Sequence, residues 1–410
     1  MKIIHFITSI DSADIYPAEY MSALLRCMGT AAEVHLATFR TADIPSVAPA
    51  TLHLFDYPSN IASLSFSRKF KQLTDTLRPD IIHIHGCWDR SLWDVTRIAK
   101  AADVPLVLSP HGALEPAILK TFFLTRRLPR LVAYQYRTAL NADVLLSSTQ
   151  TEEENLSNLL WNRHIAVIPD PRLTPGVSYG EVSESLLALY RKTIDSTCRY
   201  RSLEEKEKEV VKALLREGTA HTDEPLQTPS ETTSTMLQLS DKAWRKLLII
   251  AHDNHVDNII GDGAMRLGIK IPTIDMQHID RFDHVTKDVP LTLPADKLLY
   301  LNPLQKAKLN DIGDAKVKRL VILLLNTRHL VTRDEINLGH LSQLYQYMKY
   351  ENYDEDIFTQ SLPLFRLKAF VERTEMVLNH FFGLTEGFMP IPACTLKQAQ
   401  TLIDKTTKAL

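Results

Sequence analysis

Two apolar segments that each end in a His-Gly turn constrain this chain more than any other feature. The first is Ile81-Ile82-His83-Ile84-His85, which closes at Gly86 and runs on into Cys87-Trp88-Asp89. The second is Pro105-Leu106-Val107-Leu108-Ser109, which closes at Pro110-His111-Gly112. A short apolar run, a glycine turn and then a helix-compatible stretch, repeated about 25 residues later, describes neighbouring βα units of an open parallel sheet. Ligands of such sheets sit outside the carboxyl ends of the strands, so His85, Gly86, His111 and Gly112 fall where a crevice is expected. His83 and His85 also share one face of their strand, and hydrogen bonding within the protein accounts for them equally well.

The surrounding pattern extends this reading. Lys2 to Ile7, Glu33 to Ala37, Leu52 to Phe55, Val144 to Ser148 and Ala166 to Ile168 read as strands. Helices are expected over Ala18 to Met28, Ser65 to Leu77, Leu92 to Ala102 and Thr151 to Leu160, and over Leu114 to Leu140 in two pieces broken near Pro129. The expected fold class is therefore α/β, with residues 1–172 forming a doubly wound, Rossmann-like parallel sheet. Residues 173–240 read as a charged helix (Ser183 to Arg216) followed by a polar linker rich in Thr, Ser and Pro. Residues 241–410 read as a mainly helical domain. Leu338, Leu341, Tyr345 and Met348 recur at helical spacing, as do Phe370, Val377, Leu378 and Phe381, with Gly383 placed as a C-cap.

At 410 residues the chain has room for two or three domains. With a formal net charge of −2, no overall basicity argues for nucleic acid as a partner. Cys27, Cys87, Cys198 and Cys394 are scattered without metal or redox spacing, which suits a reducing compartment. No apolar run is long enough to span a bilayer. A cytoplasmic location is expected, with peripheral attachment to the inner membrane face left open.

DIIHIHG (Asp80 to Gly86), VPLVLSPHGALEP (Val104 to Pro116), ADVLLSSTQTEEE (Ala142 to Glu154) and AVIPD (Ala166 to Asp170) occur in an order that resembles the first domain of the family 4 glycosyltransferases, retaining enzymes of the GT-B fold. The resemblance covers about 170 residues. It implies transfer of a sugar from a nucleotide-sugar to a glycan or lipid-linked acceptor, as in polysaccharide biosynthesis, with no further cofactor and no required metal. In that family the first domain mainly holds the acceptor and the second the nucleotide-sugar. By the same resemblance His111 faces the reacting sugar, Gly112 lets backbone approach the ligand, and the helix start after it offers N–H groups to an anionic group. His85 and Gly86 line the same edge.

Several stretches depart from the family pattern. The loop after the first strand, Ser9 to Pro17, contains no glycine. Glu209 and Glu217 have the spacing of the family's donor-site glutamates but lie on a charged helix, which reads as a solvated face. Glu386, in LTEGFMP, resembles the donor turn, yet Cys394 stands where the second glutamate belongs. These departures leave a second reading, a catalytically inactive, glycosyltransferase-derived binding protein whose helical half mediates protein contacts.

Other side chains remain candidates for ligand contact. Trp88 and Asp89, with Trp93, offer an aromatic and a carboxylate of the kind that stack on and hydrogen-bond a sugar. Arg126, Arg127 and Arg130 sit among Phe122, Phe123, Tyr134 and Tyr136, in a basic and aromatic stretch suited to an acceptor phosphate or an anionic membrane surface. His252, His255 and Asp257 have metal-ligand identities on an expected helix from Trp244 to Leu267, without a well-spaced further ligand. His278, Asp280, Asp283 and His284 follow them.

Overall fold

The computed structural model describes residues 1–13, 15–57, 63–121, 125, 127–273, 282 and 290–407. The chain divides into two compact units, the first running from Met1 to Thr197 with the segment around Phe282, the second covering Cys198 to Leu410 apart from that segment.

The amino-terminal unit is built on seven parallel strands: β1 (Lys2–Ile7), β2 (Glu33–Phe39), β3 (Thr51–Phe55), β4 (Ile81–His85), β5 (Leu106–Ser109), β6 (Val144–Ser147) and β7 (Ile165–Val167). Their order is β3-β2-β1-β4-β5-β6-β7, so the winding reverses between β1 and β4. Helices α1 (Ile15–Met28), α2 (Ser63–Leu77), α3 (Arg90–Ala101), α4 (Pro116–Lys120), the single turn α5 (Leu128–Arg130), α6 (Tyr136–Asn141), α7 (Gln150–Leu159) and α8 (Tyr179–Ser196) connect and follow the strands. Strand alternation sorts the core into two layers. Ile3, Ile7, Ile81 and Val107 face Met21, Leu24, Leu186 and Tyr190 of α1 and α8. Ile4, Phe6, Ile82, Ile84 and Leu108 face Phe66, Phe70, Leu92 and Val95 of α2 and α3.

Two expectations change here. The boundary expected at residue 172 falls at Thr197, because α8 carries Val182, Leu186 and Tyr190 into the sheet core and packs on α1. Pro129 does not break a helix but opens one, at the first turn of α5, where its missing N–H costs nothing. A wide turn, Leu131–Gln135, then leads into α6.

The carboxy-terminal unit contains α9 (Glu205–Thr219), α10 (Ser230–Leu237), α11 (Asp241–Asp253), α12 (Asp257–Arg266), α13 (Pro303–Asn310), α14 (Ala315–Thr332), α15 (Leu338–Tyr350), α16 (Glu355–Phe365), α17 (Lys368–Phe382) and α18 (Leu396–Thr406), and its described residues hold no strand. In α14 every residue from Leu320 to Leu325 is buried, which marks it as the central helix. Leu338, Leu341, Tyr345 and Met348 form the buried face of α15, and Gly383 caps α17 at φ 74°, as the spacing predicts.

The polar stretch expected as a linker is partly helical, as α10, and its loop is anchored. Glu217 is buried and accepts hydrogen bonds from the Gln227 and Thr228 amides at 2.8 Å each, while Arg266 donates to the Glu224 carbonyl at 2.9 Å. The helix expected from Trp244 to Leu267 is two helices, separated where His255 takes a left-handed φ of 55°.

Candidate functional site

The strands β4 and β5 end in backbone conformations that only special turns adopt. Gly86 has φ 91°, His111 φ 52° and Gly112 φ 75°, so the chain turns sharply at both strand ends. The Gly86 amide donates to the Ser109 carbonyl at 2.8 Å, which ties the two turns together. A non-glycine residue in the left-handed region costs free energy, and His111 is held there by the turn around it.

Behind these turns lies a cluster of imidazoles on the α1/α8 face of the sheet. His5 of β1 stands opposite His83 in the β1–β4 register, and His85 follows two residues on. His5 Nδ1 and His85 Nε2 are 2.9 Å apart, and His85 Nδ1 and His111 Nε2 are 3.0 Å apart. His83 sits between the Tyr190 hydroxyl at 2.5 Å and Ser109 Oγ at 2.7 Å. Burial pushes the pKa of His5 down to about 3 and that of His83 and His85 well below the ordinary histidine value, so all three are neutral. His85 therefore lies within the sheet core rather than on a ligand surface. His111 is half-buried, and desolvation lowers its pKa to about 4 against the opposing charge of Asp170.

Next to His111 the structure gathers residues that sequence reasoning did not single out. The Tyr20 ring meets it edge-on with centroids 5.5 Å apart, and the Arg172 guanidinium lies 5.6 Å from the Tyr20 ring centre. Asp170 accepts from the Arg172 amide at 2.9 Å and pairs with its guanidinium at 3.3 Å. The arginine beside His111 is thus Arg172. The one usable signal was AVIPD itself, where Asp170 follows the last strand.

Gly112 offers its amide to the protein rather than to open space. Glu152 Oε1 accepts from Gly112 N at 2.6 Å, and Oε2 accepts from Ser148 N at 2.7 Å. The carboxylate therefore occupies the position where an anionic ligand group was expected, and it bridges the turns after β5 and β6. Glu152→Ala should strand two amides and cost about 2 kcal/mol or more. Thermal unfolding, together with faster hydrogen exchange at Gly112 and Ser148, checks this; unchanged exchange at both amides would remove the clamp.

The other expected contacts are placed as packing and capping groups. Trp88 is buried, donates its indole N–H to the Ala113 carbonyl at 2.9 Å, and has Arg127 over its ring at 4.6 Å. Asp89 caps α3 by accepting from the Ser91 amide at 2.8 Å and also accepts from the Tyr57 hydroxyl at 3.0 Å. Arg130 is exposed, while Arg126, Phe122 and Phe123 lie outside the described residues.

On the donor side, Glu209 is exposed beside Lys212, but Glu217 is not the solvated residue expected of it: it is buried and holds the loop after α9. Glu386 opens a single short turn, Glu386–Phe388. His252 and Asp257 are exposed and 3.4 Å apart across the α11–α12 break, and His278, Asp280, Asp283 and His284 lie outside the described residues.

Residues 17–171 match the family model described as a glycosyl transferase 4-like domain. No curated protein matches the chain. Among solved structures, the UDP-GlcNAc 2-epimerase of Methanocaldococcus jannaschii is similar over 41% of this chain and 45% of its own, at 14% identity and a TM-score of 0.30. The UDP-GlcNAc 2-epimerase of Neisseria meningitidis, solved with UDP-GlcNAc, is similar over 39% of this chain and 43% of its own, at 12% identity and a TM-score of 0.27. MnaA of S. aureus, solved with UDP, aligns over 58% of this chain and 65% of its own, at 13% identity and a TM-score of 0.32. The chain thus spans less than two thirds of each of these relatives. Residues 17–171, which carry the paired strand-end turns, are thus similar to the glycosyl transferase 4-like domain over somewhat more than a third of this chain.

Proposed function

We propose that this protein transfers a sugar from a nucleotide-sugar to a glycan or lipid-linked acceptor, with retention of configuration, and that the amino-terminal unit is the acceptor side. The observation that carries this reading is the family match over residues 17–171 on a sheet whose β5 turn presents His111 and Gly112. Neutral near pH 7, His111 can hydrogen-bond a sugar hydroxyl but cannot serve as a charged acid. Arg172 beside it supplies a cation suited to a phosphate.

A lipid-linked acceptor is favoured by two further features of the same unit. A largely apolar cavity of about 430 Å³ opens beside the Gly112 turn, walled by Leu114, Pro116, Leu119 and Leu159 with Lys120 among them. Val132, Tyr136 and Leu140, spaced four residues apart, are 66%, 42% and 51% exposed, and Arg130 and Arg137 flank them. An exposed apolar stripe edged with arginine suits an anionic membrane surface. No helix among the described residues is long and apolar enough to cross a membrane.

A second reading is favoured by one observation. The described residues of the carboxy-terminal unit hold no strand, so they offer no second parallel sheet for the nucleotide-sugar. On that reading the protein binds the acceptor without transferring to it. Calorimetric titration of UDP-, GDP- and ADP-sugars separates the two. The transfer reading expects one donor to bind and to support sugar transfer, and His111→Ala to lower turnover by about 10–100-fold, the worth of one hydrogen bond to the reacting sugar. Binding of a lipid phosphate with no binding of any donor would establish the second reading instead.

A further inference from the structure

We propose that His5, His83 and His85 form a binding site for one transition-metal ion of borderline softness, with Zn²⁺ as the probe. The site stands independently of the sugar-transfer reading.

The topology brings the three imidazoles together. His5 and His83 are register partners on β1 and β4, at the point where the winding of the sheet reverses, and His85 shares the His83 face. One nitrogen from each lies within 4.8 Å of the others, and all three side chains are buried. Polar rings in such a core must be satisfied, because each unpaired group carries its full desolvation cost. The hydrogen bonds present do not achieve this, since His5 Nε2 is buried without a partner among the described residues. A string of neutral imidazoles linked N–H to N leaves that atom stranded, whereas a cation draws on lone pairs.

The chemistry of the donors selects the ion. Three neutral nitrogens without a carboxylate or thiolate are poor ligands for Ca²⁺ or Mg²⁺ and good ones for Zn²⁺, Co²⁺ or copper. Outer partners that orient ligating histidines are already in place. Ser109 Oγ lies 2.7 Å from His83 Nε2 and His111 Nε2 lies 3.0 Å from His85 Nδ1, which leaves His83 Nδ1, now 2.5 Å from the Tyr190 hydroxyl, as the nitrogen given over to the ion. Binding requires the His5–His85 contact and the His83–Tyr190 contact to open so that the nitrogens settle at roughly 2.0–2.1 Å from the ion. An ion there would pin β1 to β4 and, through His85, fix the ring of His111 at the sheet edge.

The test uses the full chain, produced in zinc-supplemented medium and dialysed against a mild chelator. About one zinc per chain is expected by plasma mass spectrometry, and production with Co²⁺ should give the visible bands of a nitrogen-coordinated ion. His5→Gln and His83→Gln should each abolish stoichiometric binding. Ser109→Ala keeps all three ligands and should weaken retention by about 10–100-fold, which keeps the proposal testable if the ligand variants do not fold. His35→Gln, a buried histidine outside the cluster, should leave the zinc content unchanged. Folded wild-type protein without zinc, or Ser109→Ala and His5→Gln proteins that retain it as wild type does, would overturn the site.

Discussion

Gly218→Ala and Gly263→Ala should each unfold much of the carboxy-terminal unit while leaving the sheet unit intact. The two glycines sit where α9 and α12 touch backbone to backbone. A Cβ on Gly218 would lie 1.8 Å from the Ile259 carbonyl oxygen, and one on Gly263 would lie 2.1 Å from the Leu214 carbonyl oxygen. These neighbours are main-chain atoms inside regular helices and cannot swing aside as a side chain can. The helices must part along their whole contact, which places the cost at or above the upper end of ordinary overpacking, about 3 kcal/mol. Gly261→Ala is the internal control. It lies on the same helix with nothing within 4 Å of its Cβ position, so the gain in helix propensity should stabilise the protein by about 0.5–1 kcal/mol. Hydrogen exchange resolved by segment is the right measurement, because a two-unit chain has no single unfolding transition. Protection in residues 205–266 that survives Gly263→Ala would show that the helices do not cross this closely.

The sheet unit was legible because its signals are local. Apolar runs ending in His-Gly placed β4 and β5, and alternation assigned Ile82 and Ile84 to one face and His83 and His85 to the other, as the two core layers show. What was not legible depends on partners far away in the chain. His5 is one polar residue among Ile3, Ile4, Phe6 and Ile7 until β1 pairs with β4 and sets it against His83. Glu152 is one of three consecutive glutamates, and only the fold shows that it takes the amides of Gly112 and Ser148. Trp88 and Asp89 carried residue types that suit a sugar, yet long-range contacts with Ala113, Arg127 and Tyr57 give them packing and capping work. In the carboxy-terminal unit the break between α11 and α12 rests on a left-handed His255, which no helix-breaking residue announces. Charge runs misled for a related reason. A helix face rich in Glu and Lys reads as solvated, but Glu217 is drawn inside by the loop that it caps and by Arg266 at 3.5 Å.

Glu375 should make the stability of the carboxy-terminal unit fall as pH rises through neutrality. Its carboxyl is fully buried in α17, with the Ile391 amide as the donor that favours its ionised form. Burial pushes its pKa up to about 8, the nearby Glu372 charge adds to this, and the Ile391 amide opposes it. The folded protein therefore holds a proton that the unfolded chain, with its ordinary value of 4.5, releases. The sign follows from linkage: between those two pH values the native state binds the extra proton, so raising the pH destabilises it. The contribution is fully present below about pH 4.5 and is lost progressively up to about pH 8, at roughly 1.4 kcal/mol per pH unit. Glu375→Gln keeps the shape and removes the titration. The variant should show a flatter stability–pH profile and exceed the wild type at pH 8–9, where the native carboxyl must ionise in an apolar surround. Denaturant or exchange measurements from pH 5 to 9 on both proteins decide the matter, and identical slopes would mean that the Glu375 carboxyl reaches water in the folded state.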